Sequence, residues 1–336
     1  MTSGVQSPDD ILRGYDPFAK AALARFGFSP QASVSLLSLS ENATYRVDDA
    51  ADGRVAVLRV HRTGYHEPGA IDSELAWLQA LRRDEGLRTP AVYRSDDGKE
   101  VVDVRLGDLT RQTVLFELLP GAEPESGQSG QLAVQFEMLG EICARMHRHS
   151  RSWARPASFV RFSWDFGSCV GPAGRWGKWQ DGIGVGREEL SVLGRAADLM
   201  KRRLQRFGTG PERFGLIHAD MRLANLLVHG PDIQVIDFDD CGFGWYMFDL
   251  GASLSFIEHE PWVPELCDAW LRGYRRVLPL PEADAAEIPT FVLLRRLQLV
   301  AWVGSHKFAD AARELGAEFT AGACELAERY LARPGA

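Results

Sequence analysis

Lysine is scarce in this sequence, and cysteine is sparse. Of 38 basic residues only five are lysines, at 20, 99, 178, 201 and 307, and none of them falls in a stretch that reads as a strand. The five cysteines, at 143, 169, 241, 267 and 324, are odd in number, widely spaced and without a CxxC pair. That usage excludes a disulfide framework and a zinc site. No apolar run reaches the length of a membrane span, since "FVLLRRLQLVAWVG" is broken by Arg295 and Arg296. The opening "MTSGVQSPDDIL" lacks a basic region followed by an apolar one, so no secretory signal is read and a cytoplasmic address is expected. Internal repeats are missing, and so is any G-x-G-x-x-G in the first hundred residues.

What is present is ordinary globular composition, 45% hydrophobic and 25% charged, in 336 residues, enough for two domains with a core each. The net charge of −8 is unevenly placed. From residue 211 onward there are 19 acidic against 11 basic residues, whereas the earlier part carries 27 of each. Such a distribution argues against nucleic acid or an anionic membrane as partner, and suits either a cationic small molecule or plain solubility.

Two textures divide the chain. "SVSLLSL", "TYRVDD", "RVAVLRVHR", "VVDVRL" and "TVLFELL" alternate and are rich in β-branched residues, which predicts five antiparallel strands. Between the third and fourth, "GAIDSELAWLQALRR" carries apolar residues at 71, 75, 78 and 81, a helical stripe. Pro120 and Gly121 close this region, and "GAEPESGQSGQ" reads as a connection. Beyond it, helical periodicity dominates. The expected class is α+β: a small first lobe over 1–119, then a mostly helical second lobe over 120–336.

The densest polar stretch is "LIHADMRLANLLVHGPDIQVIDFDD", 216–240. "LLV" and "IQVIDF" read as a hairpin around the four-residue turn "HGPD". With Val228 opposite Ile233, Asn225 and Asp237 emerge together at the open end, two oxygen ligands suited to a hard cation such as Mg²⁺. Asp220 sits on the entering loop, close enough to face a metal without binding it. A carboxylate to orient and deprotonate a hydroxyl, with metal ions to neutralise phosphates, is what phosphoryl transfer requires.

The set His218, Asp220, Asn225 and Asp237, as H-x-D-x-x-x-x-N followed by an Asp at a strand end, resembles the motifs of the aminoglycoside phosphotransferase and choline kinase branch of the protein-kinase-like superfamily. That resemblance, which extends from about residue 30 to residue 330, implies a two-lobed kinase fold with ATP and Mg²⁺ as cofactors. It implies that Asp220 is catalytic and that Asn225 and Asp237 hold the metal. His218 is expected to hold the loop by hydrogen bonding, and Asp249 in "WYMFDLG" to brace it. In the first lobe the family pairs a strand lysine with a helix glutamate; here Arg59 in "VAVLRVHR" and Glu74 in "DSELAWL" take those places, to position the α- and β-phosphates. "SENATY", with Asn42, stands where a glycine-rich loop would cover phosphate. "FELLPG", 116–121, resembles the interlobe hinge, where main-chain groups at Glu117 and Leu119 would meet the adenine. Ala219 departs from the family's usual glycine, a change that costs little unless the backbone needs positive φ.

Three points stay open at this level. Asp240 reads as solvated or acceptor-facing, and Asp239 either extends the metal site or does not. His147 and His149 have metal-like spacing but read better as a polar helix end. Residues 164–186, with seven glycines in the last 20 and three tryptophans, form either a mobile flap over a small substrate or a packing loop. The expected activity is transfer of the γ-phosphate of ATP to a hydroxyl of a small molecule, with amine-bearing acceptors of the aminoglycoside, homoserine or choline type as candidates. The alternatives are a protein Ser/Thr kinase of the stress-response branch and a nucleotide-binding pseudokinase, the latter on the missing lysine alone.

Overall fold

A computed structural model of the chain describes residues 14–40, 42–125, 129–306 and 310–333. The readings at 1–12, at Glu41 of "SENA" and at 126–128 of the connecting segment lie outside them. Two compact units emerge. The first comprises the described residues up to Ala80 together with Thr89–Pro120 and Pro156–Val160; the second comprises Leu81–Arg88, Gly121–Arg155 and the described residues from Arg161 onward.

In the first unit a sheet is built from β1 (Ser33–Leu39), β2 (Ala43–Asp48), β3 (Val55–Val60), β4 (Val92–Tyr93), β5 (Val101–Leu106) and β6 (Leu109–Glu117). Every pairing is antiparallel, in the order β1-β2-β3-β6-β4, with β5 also on β6. The sheet therefore has six strands rather than the five expected from the sequence. The extra one, β4, is two residues long, too short for alternation to reveal. In β2 the alternation buries Ala43, Tyr45 and Val47, and Leu58 of β3 and Leu115 of β6 join them in the core. A helix that the sequence pattern did not announce, Asp16–Leu23, opens with proline in its first turn and adds Phe18, Ala19, Ala22 and Leu23 to the same core.

The helix Ala70–Glu85 buries Ile71, Leu75, Leu78 and Leu81, the stripe read from the sequence. In the second unit, Ser129–Ser152 and Val263–Arg275 pack face to face. A Cβ added to Gly140 would lie 2.0 Å from the Trp270 carbonyl oxygen, and one added to Gly273 would lie 1.8 Å from that of Glu137. Only glycine lets two helix backbones approach so closely. Ile288–Ser305 is buried around nearly its whole circumference, including Arg295 and Arg296. A three-stranded sheet joins β7 (Ser163–Trp164) and β8 (Phe214–Ile217) through β11 (Gly242–Trp245), which runs parallel to β7 and antiparallel to β8.

Between β8 and β11 lies the hairpin of β9 (Leu226–His229) and β10 (Asp232–Val235). Its register places Ile233 opposite Val228, as the sequence reading has it. His229 pairs with Asp232, so the turn is the two residues Gly230 and Pro231, shorter than the four expected. Gly230, at φ 60°, takes the left-handed first position of a tight hairpin turn. Among the described residues no helix is long and apolar enough to cross a membrane.

Candidate active site

The catalytic segment runs from β8 into β9, and its backbone is held by one buried carboxylate. Asp249, fully buried on the helix Tyr246–Ser253, accepts from His218 N at 3.2 Å with Oδ2 and from Ala219 N at 2.7 Å with Oδ1. Between them Ala219 adopts φ 69°. The backbone thus does require the left-handed region, and the alanine carries a strain of about 1 kcal/mol that glycine would not. His218 is fixed at both ring nitrogens: Nδ1 accepts from Asp220 N at 3.2 Å and Nε2 donates to Ile236 O at 3.1 Å. Its ring lies 4.5 Å from that of Phe238.

Behind Asp249 stands His147. Its Nε2 lies 3.0 Å from Asp249 Oδ2 and its Nδ1 3.0 Å from the Tyr274 hydroxyl. This corrects the reading of "RMHRHS" as a polar helix end. His147 is wholly buried and stacks on Tyr246, and His149 is buried as well, 3.1 Å from Asp84. Burial pushes the His147 imidazole below its usual pKa, against the opposing pull of Asp249.

Asp220 follows the strained alanine and is 9% exposed. Asn225 turns both its amide hydrogens to it, bonding Asp220 O at 2.9 Å and Oδ2 at 2.7 Å. The amide oxygen of Asn225 therefore faces away from Asp220. Arg222 Nε donates to Oδ2 at 3.3 Å, and Arg295 Nη2 donates to Oδ1. Burial alone would raise the Asp220 carboxyl, but Arg295, Arg222 and His218 outweigh it and hold it below the ordinary carboxylate range. The charged form is the stable one. Partial desolvation opposes the charge of Arg222, whose side chain is 35% exposed, but the fields of Asp220 and Asp237 hold it protonated.

At the open end of the hairpin, Ile236 N donates to Asn225 O at 3.0 Å, which sets Asp237 beside it in sequence. Asp237 is exposed and adopts φ 60°, which aspartate tolerates better than most residues. A free-facing amide oxygen just before β9 and an exposed carboxylate just after β10 fit a hard cation that keeps several waters. Asp239 and Asp240, by contrast, are buried at 5% and 9% exposure, so Asp240 is not solvated. The main-chain oxygen of Asp240 accepts from Trp164 Nε1 at 2.6 Å, and that of Asp239 accepts from Arg161.

In the first unit Arg59 and Glu74 form a buried ion pair, Nη2 to Oε1 at 2.5 Å, with side-chain exposures of 5% and 0%. The Arg59 guanidinium also lies 5.0 Å from the Phe116 ring centre. Asn42 is buried, its carboxamide oxygen accepting from Arg62 N at 3.1 Å, so that atom serves its own turn. Glu117 ends β6 and is tied to Ala91, by its main-chain N–H at 2.8 Å and by Oε2 accepting at 3.1 Å; Leu119 is half-buried.

Residues 164–186 are anchored rather than loose. Trp164, Trp176 and Trp179 are buried, Trp176 O accepts from Ser305 Oγ at 2.6 Å, and Ile183 O accepts from Thr320 Oγ1 at 2.6 Å. The Trp176 ring centre lies 5.0 Å from the Arg295 guanidinium. Arg295 itself escaped the sequence reading, which used it only to break an apolar run. A charge in the middle of a buried helix was the available signal, because such a charge needs a partner.

A carboxylate kept ionised on a braced loop, beside a hairpin flanked by an amide oxygen and an exposed carboxylate, suits phosphoryl transfer to a hydroxyl. The chain belongs to the phosphotransferase enzyme family, whose sequence model matches residues 34–280. It is 50% identical to a microcompartment-associated aminopropanol kinase of known structure, over 94% of this chain and 97% of that one, with a TM-score of 0.86. The amicoumacin kinase of Bacillus subtilis (strain 168) is 27% identical over 291 residues, 82% of this chain and 81% of its own length. An amicoumacin kinase structure in complex with AMP-PNP and Ca²⁺ shares the fold at 23% identity and a TM-score of 0.75, covering 96% of this chain and 95% of that one. The protein is an ATP-dependent phosphotransferase acting on a small molecule.

Proposed function

We propose that the phosphate acceptor is a small amino alcohol of the aminopropanol type and that Mg·ATP is the donor. The observation that carries this reading is the 50% identity with an aminopropanol kinase along almost the whole of both chains. In this reading Asp220 orients the acceptor hydroxyl and receives its proton. Asn225 Oδ1 and Asp237 hold Mg²⁺, whose charge offsets that of the phosphates. Arg59, held by Glu74, contacts the α- and β-phosphates through its fork of donors. The turn around Asn42 offers main-chain N–H groups to phosphate, and the backbone at Glu117 and Leu119 serves the adenine. His218 and Asp249 keep the loop in place. The intact Asp220, Asn225 and Asp237 speak against a pseudokinase.

The test is ADP release from purified protein and Mg·ATP with 1-amino-2-propanol, ethanolamine, choline, homoserine, an aminoglycoside, or water alone. Amino alcohols are expected to raise turnover well above hydrolysis. Asp220→Asn, nearly isosteric, is expected to keep ATP affinity while turnover falls about 10²–10⁴-fold. Turnover with homoserine or an aminoglycoside but not with amino alcohols would refute the acceptor; undiminished turnover in Asp220→Asn would refute the role of Asp220.

A further inference from the structure

We infer that Arg295 is a positioning residue for phosphoryl transfer: its buried guanidinium fixes the Asp220 carboxylate so that Oδ1 is the oxygen presented to the acceptor hydroxyl. The inference rests on the reading of Asp220 as the catalytic carboxylate.

Arg295 is 1% exposed and lies in "FVLLRRLQLVAWVG", a buried helical stretch whose other polar side chains are Arg296 and Gln298. Burying a guanidinium costs several kcal/mol unless it is paired and its remaining hydrogens are satisfied. Here all three nitrogens are committed, through four of the five hydrogens. Nε donates to Ser255 Oγ at 2.9 Å, Nη1 donates to Gln298 Oε1 at 3.3 Å and to Ala219 O at 3.4 Å, and Nη2 donates to Asp220 Oδ1. Gln298 is fully buried and turns its oxygen to Arg295 although this leaves Nε2 without a hydrogen-bond partner among the described residues. One donor is sacrificed and the arginine stays anchored. The guanidinium thus grips the strained turn twice, at the carbonyl of Ala219 and at the side chain of the next residue.

The consequence for Asp220 follows from counting lone pairs. An ionised carboxylate has about four acceptor positions, two on each oxygen. Among the described residues three donors reach Asp220: Asn225 and Arg222 on Oδ2, and Arg295 on Oδ1. Oδ2 is filled and one position remains on Oδ1. An acceptor hydroxyl therefore docks at Oδ1, in an orientation set by Arg295. A rigid guanidinium fork, held by Ser255, limits the rotation of that carboxylate in a way a lysine could not.

The experiment is a double-mutant cycle read as ADP release with Mg·ATP, with 1-amino-2-propanol and with water alone, for wild type, Arg295→Ala, Arg295→Lys, Asp220→Asn and Arg295→Ala/Asp220→Asn. Arg295→Ala is expected to lower kcat on the order of 10²-fold, the scale of a misplaced catalytic group, with KM for Mg·ATP nearly unchanged. Arg295→Lys is expected to lose less, and added methylguanidinium to restore part of the activity of Arg295→Ala. In the Asp220→Asn background, Arg295→Ala should cost little more, because both changes remove one function. Equal losses in both backgrounds, or an effect on KM alone, would overturn the inference. Wild-type turnover in Asp220→Asn would instead be the failure of the Asp220 assignment, seen in that single variant before any arginine is changed. If Arg295→Ala does not fold, Ser255→Ala decides: it loosens Nε only, is expected to lower kcat severalfold at constant KM, and an unchanged kcat overturns the inference.

Discussion

The main-chain N–H of Ala219 donates to Asp249 Oδ1 at 2.7 Å, so a buried carboxylate holds an alanine in a backbone conformation that alanine disfavours. The two residues predict opposite changes. Ala219→Gly is expected to raise stability by up to about 1 kcal/mol, since the left-handed strain disappears and only glycine's greater unfolded-state freedom opposes the gain. Asp249→Ala strands two buried N–H groups and a buried histidine, and is expected to cost about 3 kcal/mol or more. Urea midpoints of both variants check this; a destabilised Ala219→Gly would contradict the strain argument.

The two proposed metal ligands are expected to fail differently. Asp237 is exposed but left-handed, so Asp237→Ala should abolish Mg²⁺-dependent turnover at a cost in stability of only about 1 kcal/mol, the strain of alanine at that φ. Asn225 is buried and holds Asp220 with both amide hydrogens, so Asn225→Ala should lose activity and stability together. Calorimetry beside nucleotide-binding titrations with and without Mg²⁺ separates the two. Unaltered Mg²⁺-dependent binding in Asp237→Ala would remove that residue from the site.

Arg59 and Glu74 make a buried ion pair, and truncating either removes the counter-charge it gives the other. Arg59→Ala and Glu74→Ala are each expected to destabilise by about 3–5 kcal/mol, whereas Arg59→Lys keeps the charge and loses only the fork. In folded variants Arg59→Lys should weaken ATP more than adenosine. Equal weakening of both ligands by isothermal titration would mean that the arginine supports the sheet and does not contact phosphate.

His147 gives the stability a dependence on pH. Its folded pKa is depressed, chiefly by burial, so the native state keeps it neutral while the unfolded chain takes up a proton below about pH 6.5. The unfolded state then binds more protons, and stability falls as the pH drops below that value. His147→Gln should be less stable near neutrality yet show a flatter profile between about pH 5 and 6.5. Urea titrations across that window decide it, and an unchanged slope would show that other groups govern the acid limb.

Much of this architecture is legible in the sequence, and the limits have physical causes. The hairpin register could be read because turn residues and alternation act locally, and it carried Asn225 and Asp237 to one end. The pairing of Arg59 with Glu74 was implied by the resemblance to kinases, which join a basic strand residue to a glutamate on the following helix, and the ion pair is present. The two-residue β4 was not, because it is shorter than one period of alternation. Burial of His147 and Asp240 depends on which elements cover them; polarity alone misplaced His147 and could not decide between a solvated and an acceptor-facing Asp240. The partner of Arg295 lies 75 residues away in the chain, and nothing local to "LLRRLQ" names it. Ala219 shows a subtler limit: its identity left open whether the backbone needs positive φ, and only tertiary hydrogen bonds decide that it does.

The close approach at Gly140 and Gly273 reaches further than the helices it joins. Tyr274, one residue beyond Gly273, is the hydroxyl that meets His147, and through Asp249 that contact ends at the two N–H groups beneath Asp220. A methyl group at either glycine would have to push apart two backbones, and the displacement would be delivered to the loop along this relay. Anyone retargeting this scaffold to a new acceptor should therefore treat the distant helix pair as part of the instrument's alignment, to be left untouched while the acceptor side is varied.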